Sequence, residues 1–205
     1  MDGDRGGHWE AVYSTKGESD VSWYQEDPAT SLALIASAGA TAASPIIDIG
    51  GGASRLVDAL LARGHRDLSV LDLSAAALAT VRRRLGPASG GFQGIVADVT
   101  TWQPRRRYDV WHDRAAFHFL TEAADRAAYV AALKAALPPG GHAVVATFAL
   151  DGPARCSGLP VMRYDGARLG AVLGDDFERL ETLAHGHVTP WGAPQSFQFS
   201  LFRRI

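Results

Sequence analysis

Short apolar runs alternate with amphipathic stretches along most of the chain. Pro45 to Ile49 is an apolar run of strand length. Ala53 to Arg63 follows, with Leu56, Leu60 and Leu61 on one helical face and Gly64 at its end. Leu68 to Leu71 predicts a second strand. Ser74 is placed to cap a helix running to Arg84 that carries Leu78, Val81 and the adjoining Leu85. Phe92 to Ala97 and Tyr108 to Trp111 predict the third and fourth strands. Thr121 to Leu137 predicts a helix with Thr121 as its cap and Tyr129, Leu133 and Leu137 at helical spacing, and the Val-rich run His142 to Phe148 predicts the fifth strand. Strands alternating with helices argue for a mostly parallel sheet covered on both faces.

The flanks depart from that alternation. At the start, His8 to Lys16 predicts a short helix with Trp9, Val12 and Tyr13 on one side, after a frayed segment containing Gly3, Gly6 and Gly7. Asp27 can cap a helix that has Pro28 at its first position and ends before Gly39. At the other end, Asp165 to Leu173 predicts one more helix, and Phe177 to Val188 with Gln195 to Arg203 predicts a closing antiparallel pair. No repeat or interdomain linker is visible. One domain over 1–205 is expected, with 1–40 as an N-terminal helical cap, 45–150 as a ligand-binding core and 151–205 as loops and closing strands.

Composition narrows the picture modestly. The 205 residues carry 47% hydrophobic and 20% charged side chains, a globular balance that excludes a disordered chain. A formal net charge of −2 gives no field that would hold a nucleic acid. Cys156 is the single cysteine, so an intrachain disulfide and paired-cysteine metal sites are excluded, and a cytoplasmic location is the default expectation. Met1 to Arg5 lacks the pattern of a secretory signal. The uncharged stretch Pro28 to Ile47 is interrupted by small polar residues and Pro45, and reads as a helix, a turn and a strand rather than a membrane span. The arginine runs 82–84 and 105–107 read as solvated faces.

The chemistry gathers at predicted strand ends. Asp48-Ile49-Gly50-Gly51-Gly52-Ala53-Ser54 joins a strand to a helix, and glycines there let a ligand approach the backbone. Arg55 stands where a dinucleotide fingerprint needs glycine, and no Gly-Lys-Ser/Thr follows, so neither that fingerprint nor a P-loop fits. Asp72, with Leu73, closes the second strand and could accept both hydroxyls of a ribose. Asp98, with Val99, closes the third strand, where an adenine amino group could be read. Either acid alone could be a turn or cap residue. In this order, at successive strand ends, they outline a crevice at the ligand edge of an open α/β sheet.

These residues, with Pro138-Pro139-Gly140-Gly141 before the fifth strand, resemble class I S-adenosylmethionine-dependent methyltransferases from about His8 to Arg203. The family's usual third glycine position holds Ser54. The resemblance implies a Rossmann-like fold whose sheet has seven strands, the last antiparallel. It implies S-adenosylmethionine as cofactor and S-adenosylhomocysteine as product. Tyr108-Asp109-Val110-Trp111-His112-Asp113-Arg114-Ala115-Ala116-Phe117-His118-Phe119-Leu120 is similar to a segment of thiopurine and thiol methyltransferase-like proteins. Trp9, Tyr13 and Ser22-Trp23-Tyr24 resemble the start of that group and equally that of a group of protein-lysine methyltransferases. The latter carry Asp-Lys-Gly where this chain has Asp113-Arg114-Ala115.

A sulfonium donor is already activated, so such a site has mainly to align the nucleophile and exclude water. The resemblance implies that Asp48, Gly50, Gly51, Gly52, Asp72, Leu73, Asp98, Val99, His112 and Trp23 bind the cofactor. Asp113 and His118 are the catalytic candidates, with His118 as a base. Asp113 paired with Arg114, and His118 packed in the core, are the bland alternatives. Tyr24, Arg114, Phe117, His187 and Trp191 are candidates for holding the acceptor. Trp23-Tyr24 and His187 to Trp191 are expected to form a lid over the methyl group. The Cys156 loop could help shape the acceptor pocket. His185 and His187 share one strand face without a carboxylate, so no metal site is assigned. The acceptor expected is a small molecule attacking through sulfur, oxygen or nitrogen, with sulfur favoured. A protein lysine is the alternative, and a non-catalytic cofactor-binding domain is the rival of another class.

Overall fold

The computed structural model describes residues 5–205; the expected frayed start before His8 is corrected at residues 5–7, which already belong to the first helix, and its residues 1–4, with most of the stretch read as lacking a signal, lie outside the described residues. Its strands are β1 (Ile46–Ile49), β2 (Leu68–Asp72), β3 (Phe92–Val96), β4 (Val110–Arg114), β5 (His142–Phe148), β6 (Arg155–Cys156), β7 (Leu159–Pro160), β8 (Phe177–Val188) and β9 (Pro194–Arg204). Seven of them form one sheet in the order β3-β2-β1-β4-β5-β9-β8, while β6 and β7 make a small hairpin of their own. β9 runs antiparallel to both β5 and β8, and the pairings from β3 across to β5 are parallel. This is the mostly parallel sheet that the alternation predicts, with the seven strands that the resemblance implies.

The helices are α1 (Arg5–Thr15), α2 (Ala29–Ser37), α3 (Leu56–Ala62), α4 (Ala75–Leu85), α5 (Ala123–Ala136) and α6 (Gly166–Leu173). Because side chains alternate along a strand, each strand feeds two cores. Ile46, Val70, Val110 and Val144 pack with Leu34 and Ile35 of α2, Leu56 and Leu60 of α3, and Leu78 and Val81 of α4. Ile47, Ile49, Trp111 and Val145 pack on the other face with Tyr129 and Leu133 of α5 and Leu169 and Leu173 of α6. The crossovers leave β1 in one direction and β4 in the other, so right-handed connections put α3 and α4 on one face and α5 on the opposite one. The reversal lies between β1 and β4, where an open sheet of this kind leaves a crevice.

Helix ends follow local chemistry. The Ser74 hydroxyl accepts from Ala77 N–H at 3.0 Å, and the Asp165 carboxylate accepts from Arg168 N–H at 2.7 Å, capping α4 and α6. Two expected caps are corrected. Pro28, not Asp27, holds the N-cap position of α2, and Glu122, not Thr121, holds that of α5, both without a side-chain cap bond. The fourth strand is also corrected, from 108–111 to Val110–Arg114. Tyr108 is still buried, and its hydroxyl donates to Ser69 Oγ at 3.1 Å.

Candidate active site

The carboxyl ends of β3, β2, β1 and β4 share one edge of the sheet, and the residues just beyond them line a cleft enclosing about 770 Å³ of space, open solvent included. Asp98 and Val99 stand at one end, Asp72 and Leu73 next, Gly50 at the centre, and Arg114, Ala115 and Cys156 at the other end. A second cavity opens off the same centre, lined by Tyr24, Ser31, Asp48, Gly51 and His112 among others, and Tyr13, Trp23, Gly50 and Arg114 border both.

Gly50 and Gly52 have φ of +61° and +49°, a left-handed conformation that favours glycine. A Cβ on Gly50 would lie 2.5 Å from Ala116 Cβ, and one on Gly52 would lie 2.4 Å from the Tyr13 hydroxyl, so the turn has no room for side chains. Arg84 braces this loop from behind. Its Nη1 and Nη2 donate to the carbonyls of Ala53 and Ser54 at 3.1 and 2.7 Å, and its Nε donates to Asp58 Oδ1 at 2.8 Å. The reading of residues 82–84 as a purely solvated face is therefore corrected at Arg84, whose side chain is only 12% exposed.

Asp72 accepts from Ser74 N–H at 2.8 Å through Oδ1. Burial, reinforced by the charge on Asp48, pushes its carboxyl up to about 6. Asp98 Oδ1 accepts from Thr100 N–H and Oγ1 at 2.8 and 2.7 Å, and its Oδ2 pairs with Arg5 at 3.1 Å. On the floor of the second cavity Asp48 Oδ1 meets His112 Nδ1 at 2.7 Å, and His112 Nε2 meets Ser31 Oγ at 2.8 Å. That buried chain ties β1, β4 and α2 together.

Helix α1 lies across the cleft. Arg5 also bonds Asp125 Oδ2 at 3.0 Å, and Glu10 Oε2 accepts from Ser74 Oγ at 2.7 Å and Ala76 N–H at 3.2 Å at the start of α4. Those bonds hold the Glu10 carboxyl below its usual range. So fastened, α1 turns Trp9 and Tyr13 inward. Trp9 packs edge-on against Trp23 and Phe119, with ring centroids 5.5 and 5.0 Å apart. Arg5, Trp9, Tyr13, Phe119 and Ser31 are site residues that the sequence reading missed. The available signals were the i, i+4 placement of Trp9 and Tyr13, which equally predicts core packing, and the resemblance of these two residues to the opening segment of the methyltransferase groups named above.

Strand period sorts the β4 candidates. His112 and Arg114 share a face with Asp48, whereas Asp113 points to the opposite core. Asp113 is therefore corrected from a catalytic candidate to a structural one. Its Oδ1 accepts from Ala116 and Phe117 N–H at 2.9 and 3.2 Å, and its Oδ2 accepts from the Tyr129 hydroxyl at 2.8 Å. Burial raises it to about 6. Nor does it pair with Arg114. The turn it holds places Ala115 at φ 70°, a conformation more natural to glycine. His118 and Phe117 are fully buried and line neither cavity. Burial, followed by the Arg114 charge, lowers His118 to about 3, which leaves it neutral and unsuited to act as a base.

The expected lid is corrected in half. Trp191 is 61% exposed and lines neither cavity. His187 is buried and donates from Nε2 to the Ser22 carbonyl at 2.8 Å, so the β8–β9 end braces the Trp23 segment without covering the cleft. His185 Nδ1 meets Thr30 Oγ1 at 3.1 Å. Arg114 donates from Nη1 to the Trp23 carbonyl at 2.9 Å and lies over the Phe197 ring, 5.1 Å from its centroid. Burial lowers its guanidinium to about 10, and burial also pushes the neighbouring Cys156 thiol up. No helix among the described residues is long and apolar enough to cross a membrane.

Residues 46–141, from β1 to the turn before β5, match the family model described as a methyltransferase domain. No curated protein matches the chain in sequence. An S-adenosylmethionine-dependent methyltransferase from Anabaena variabilis superposes with a TM-score of 0.77 at 14% identity, over 100% of this chain and 96% of its own. A structure solved for the conversion of a disulfide bond into a thioacetal group during echinomycin biosynthesis gives 0.75 at 19% identity, over 96% and 90%. The 1,6-didemethyltoxoflavin N1-methyltransferase of Burkholderia thailandensis, solved with 1,6-didemethyltoxoflavin and S-adenosylhomocysteine, gives 0.67 at 20% identity, over 94% and 80%. At these identities the likeness is one of fold, that of class I methyltransferases.

Proposed function

We propose that this methyltransferase domain binds S-adenosylmethionine in the cleft and directs its methyl group to a nucleophile on a small molecule, preferably sulfur or a similarly polarisable atom. The carrying observation is the ordered series along one sheet edge: a glycine turn with no room for a Cβ, then Asp72, then Asp98, all on one cleft. In this reading Asp72 accepts from the ribose hydroxyls, Leu73 and Val99 flank the adenine, and Asp98 reads its amino group once Arg5 shares or yields Oδ2. Gly50 and Gly51 let the methionine end approach the backbone, with Asp48 and His112 behind them. Trp23 covers that end, and Trp9 and Tyr13 exclude water. The cofactor, when bound, supplies a methyl group already activated by its sulfonium charge.

The sulfur preference follows from which groups do not reach the cleft. Neither Asp113 nor His118 lines it, and Asp48 is already engaged by His112. An amine would need a base to release its proton, whereas a thiol ionises near neutral pH. The similarity of residues 108–120 to thiopurine and thiol methyltransferase-like proteins points the same way. The roofing of the cleft by α1 favours a small acceptor over a protein side chain, and of the proteins of the same fold one is solved with 1,6-didemethyltoxoflavin and another belongs to echinomycin biosynthesis.

The test is a panel of thiols, phenols, amines and peptides, incubated with the chain and S-adenosylmethionine and read by S-adenosylhomocysteine formation. Turnover is expected on thiols first. Silence across the panel with methylation of a single protein in a cell lysate would reverse the acceptor reading, and cofactor binding without any product would favour the non-catalytic domain.

A further inference from the structure

Arg114 carries more hydrogen-bonding capacity than the fold uses. It stands at the carboxyl end of β4, borders both cavities, and spends Nη1 on the Trp23 carbonyl at 2.9 Å. Its Nε and Nη2 are buried and have no hydrogen-bond partner among the described residues, and it joins no ion pair there. Asp48, the nearest source of negative charge, is committed to His112 Nδ1 at 2.7 Å and to Ser54 Oγ at 3.4 Å. Nε and Nη2 lie on the same side of a planar guanidinium, and their N–H bonds form the parallel fork that matches the two oxygens of a carboxylate. A guanidinium held out of water with that fork unpaired is costly, because desolvation of a charge is offset only by a counter-charge and full hydrogen bonding.

The position of the fork indicates what reaches it. Asp72 and Asp98 lie toward β2 and β3, on one side of the glycine turn. Arg114 lies on the other side, with the Phe197 ring of β9 under it and Cys156 of β6 beside it in the cleft wall. A cationic sulfonium between the acids and Arg114 would face a second cation unless a negative group stood between them, and with the cofactor's own methionine carboxylate directed to the backbone of Gly50 and Gly51 that place falls to the acceptor.

We propose that Arg114 receives a carboxylate carried by the methyl acceptor, so that the acceptor class is a small acid bearing a thiol or another polarisable nucleophile. This rests on the reading of the cleft as a methyltransferase site. Its recognition step is ionic and bidentate, and it consumes no proton. Arg114 acts as a binding and specificity-determining residue, since it orients the acceptor without taking part in the displacement.

The experiment uses matched probes that differ only in charge: 3-mercaptopropanoate against 3-mercaptopropanamide, and 4-hydroxyphenylacetate against 4-hydroxyphenylacetamide. Binding is read by thermal shift in the presence and absence of S-adenosylhomocysteine, and turnover by kcat/KM with S-adenosylmethionine. In the wild-type chain the acids are expected to stabilise and the amides not, with acids favoured at least about tenfold in kcat/KM, as for loss of a charge-assisted bond. In Arg114→Gln the acid preference, compared at saturating S-adenosylmethionine, should fall to about twofold or less, and Arg114→Lys should keep part of the preference. Equal response of the wild-type chain to acids and amides in both readouts overturns the proposal, whatever the variants do. A Gln variant that keeps the acid preference but loses cofactor affinity overturns it as well, because the fork would then serve the cofactor. If the wild-type chain binds no S-adenosylhomocysteine, the methyltransferase reading fails separately, and the acid-against-amide thermal shift still decides the fate of Arg114.

Discussion

Asp72→Asn should make the protein more stable and a poorer binder at the same time. The carboxyl is buried, and moving it from its ordinary 3.8 to about 6 is worth about 3 kcal/mol against the charged form at neutral pH. The sign follows from proton binding. The native state holds the Asp72 proton more tightly than the unfolded state does, so this contribution to stability is fully present below about pH 4 and is lost as pH rises through about 6. Asparagine keeps an oxygen for the Ser74 N–H, which Asp72 engages at 2.8 Å, and removes the charge. After a discount for imperfect repacking, a gain of about 1–3 kcal/mol at pH 8 is expected, or roughly 2–10 °C in melting temperature for a chain of this length. The gain should fall to about a third of that near pH 4.5 and vanish only below about pH 3.5, where the carboxyl is protonated in the unfolded state as well. Cofactor affinity should move the other way. Losing a charged acceptor for two ribose hydroxyls costs about 1.5–3 kcal/mol, or roughly 10- to 150-fold in Kd. Thermal unfolding at both pH values and calorimetric titration with S-adenosylhomocysteine at pH 8 check the pair. A variant that is less stable at pH 8, by an amount independent of pH, would refute the reasoning about burial, and unchanged affinity would remove Asp72 from the site.

Other substitutions separate the roles of neighbouring residues. Asp113→Ala strands two N–H groups and the Tyr129 hydroxyl, and should cost about 2–4 kcal/mol in denaturant unfolding; a near-neutral result would show that the turn does not depend on it. His118→Leu should keep turnover within about threefold, whereas loss of a general base would cost about 10²–10⁴, so a steady-state assay on any active acceptor distinguishes the two. Trp191→Ala should leave cofactor affinity and turnover unaltered, since the ring is exposed and lines no cavity, while Trp9→Ala should weaken cofactor binding about tenfold or more by opening the roof. Equal effects of the two tryptophan variants would contradict the placement of α1 over the cleft.

The placement of the proposed cofactor half of the site was legible because it depends on chain order alone. A glycine turn and two acids follow three strands, and parallel pairing then brings their ends to one edge without reference to side-chain direction. The acceptor half was not, for identifiable reasons. Apolar patterning ended β4 at Trp111, because His112, Asp113 and Arg114 break the apolar run that marks a buried parallel strand. The strand continues through them because His112 and Asp113 are satisfied internally and Arg114 in part, and period two then sends Arg114 to the cleft and Asp113 to the core. The roof was hidden for a different reason. Trp9 and Tyr13 face inward because Arg5, Glu10 and Glu18 fasten α1 and the following turn to Asp98, Ser74 and Arg84, contacts between segments far apart in sequence. The exposed Trp191 shows the converse error, in which an aromatic between two strands was credited with a site it does not reach.

Calorimetric titration of the wild-type chain and Asp72→Ala with S-adenosylmethionine, S-adenosylhomocysteine and a nicotinamide dinucleotide tests the central claim most directly. The account predicts one-to-one binding of both adenosyl compounds to the wild-type chain, weakened about tenfold or more by the substitution, with the dinucleotide bound far more weakly. No binding of either adenosyl compound, or tighter binding of the dinucleotide, would contradict it.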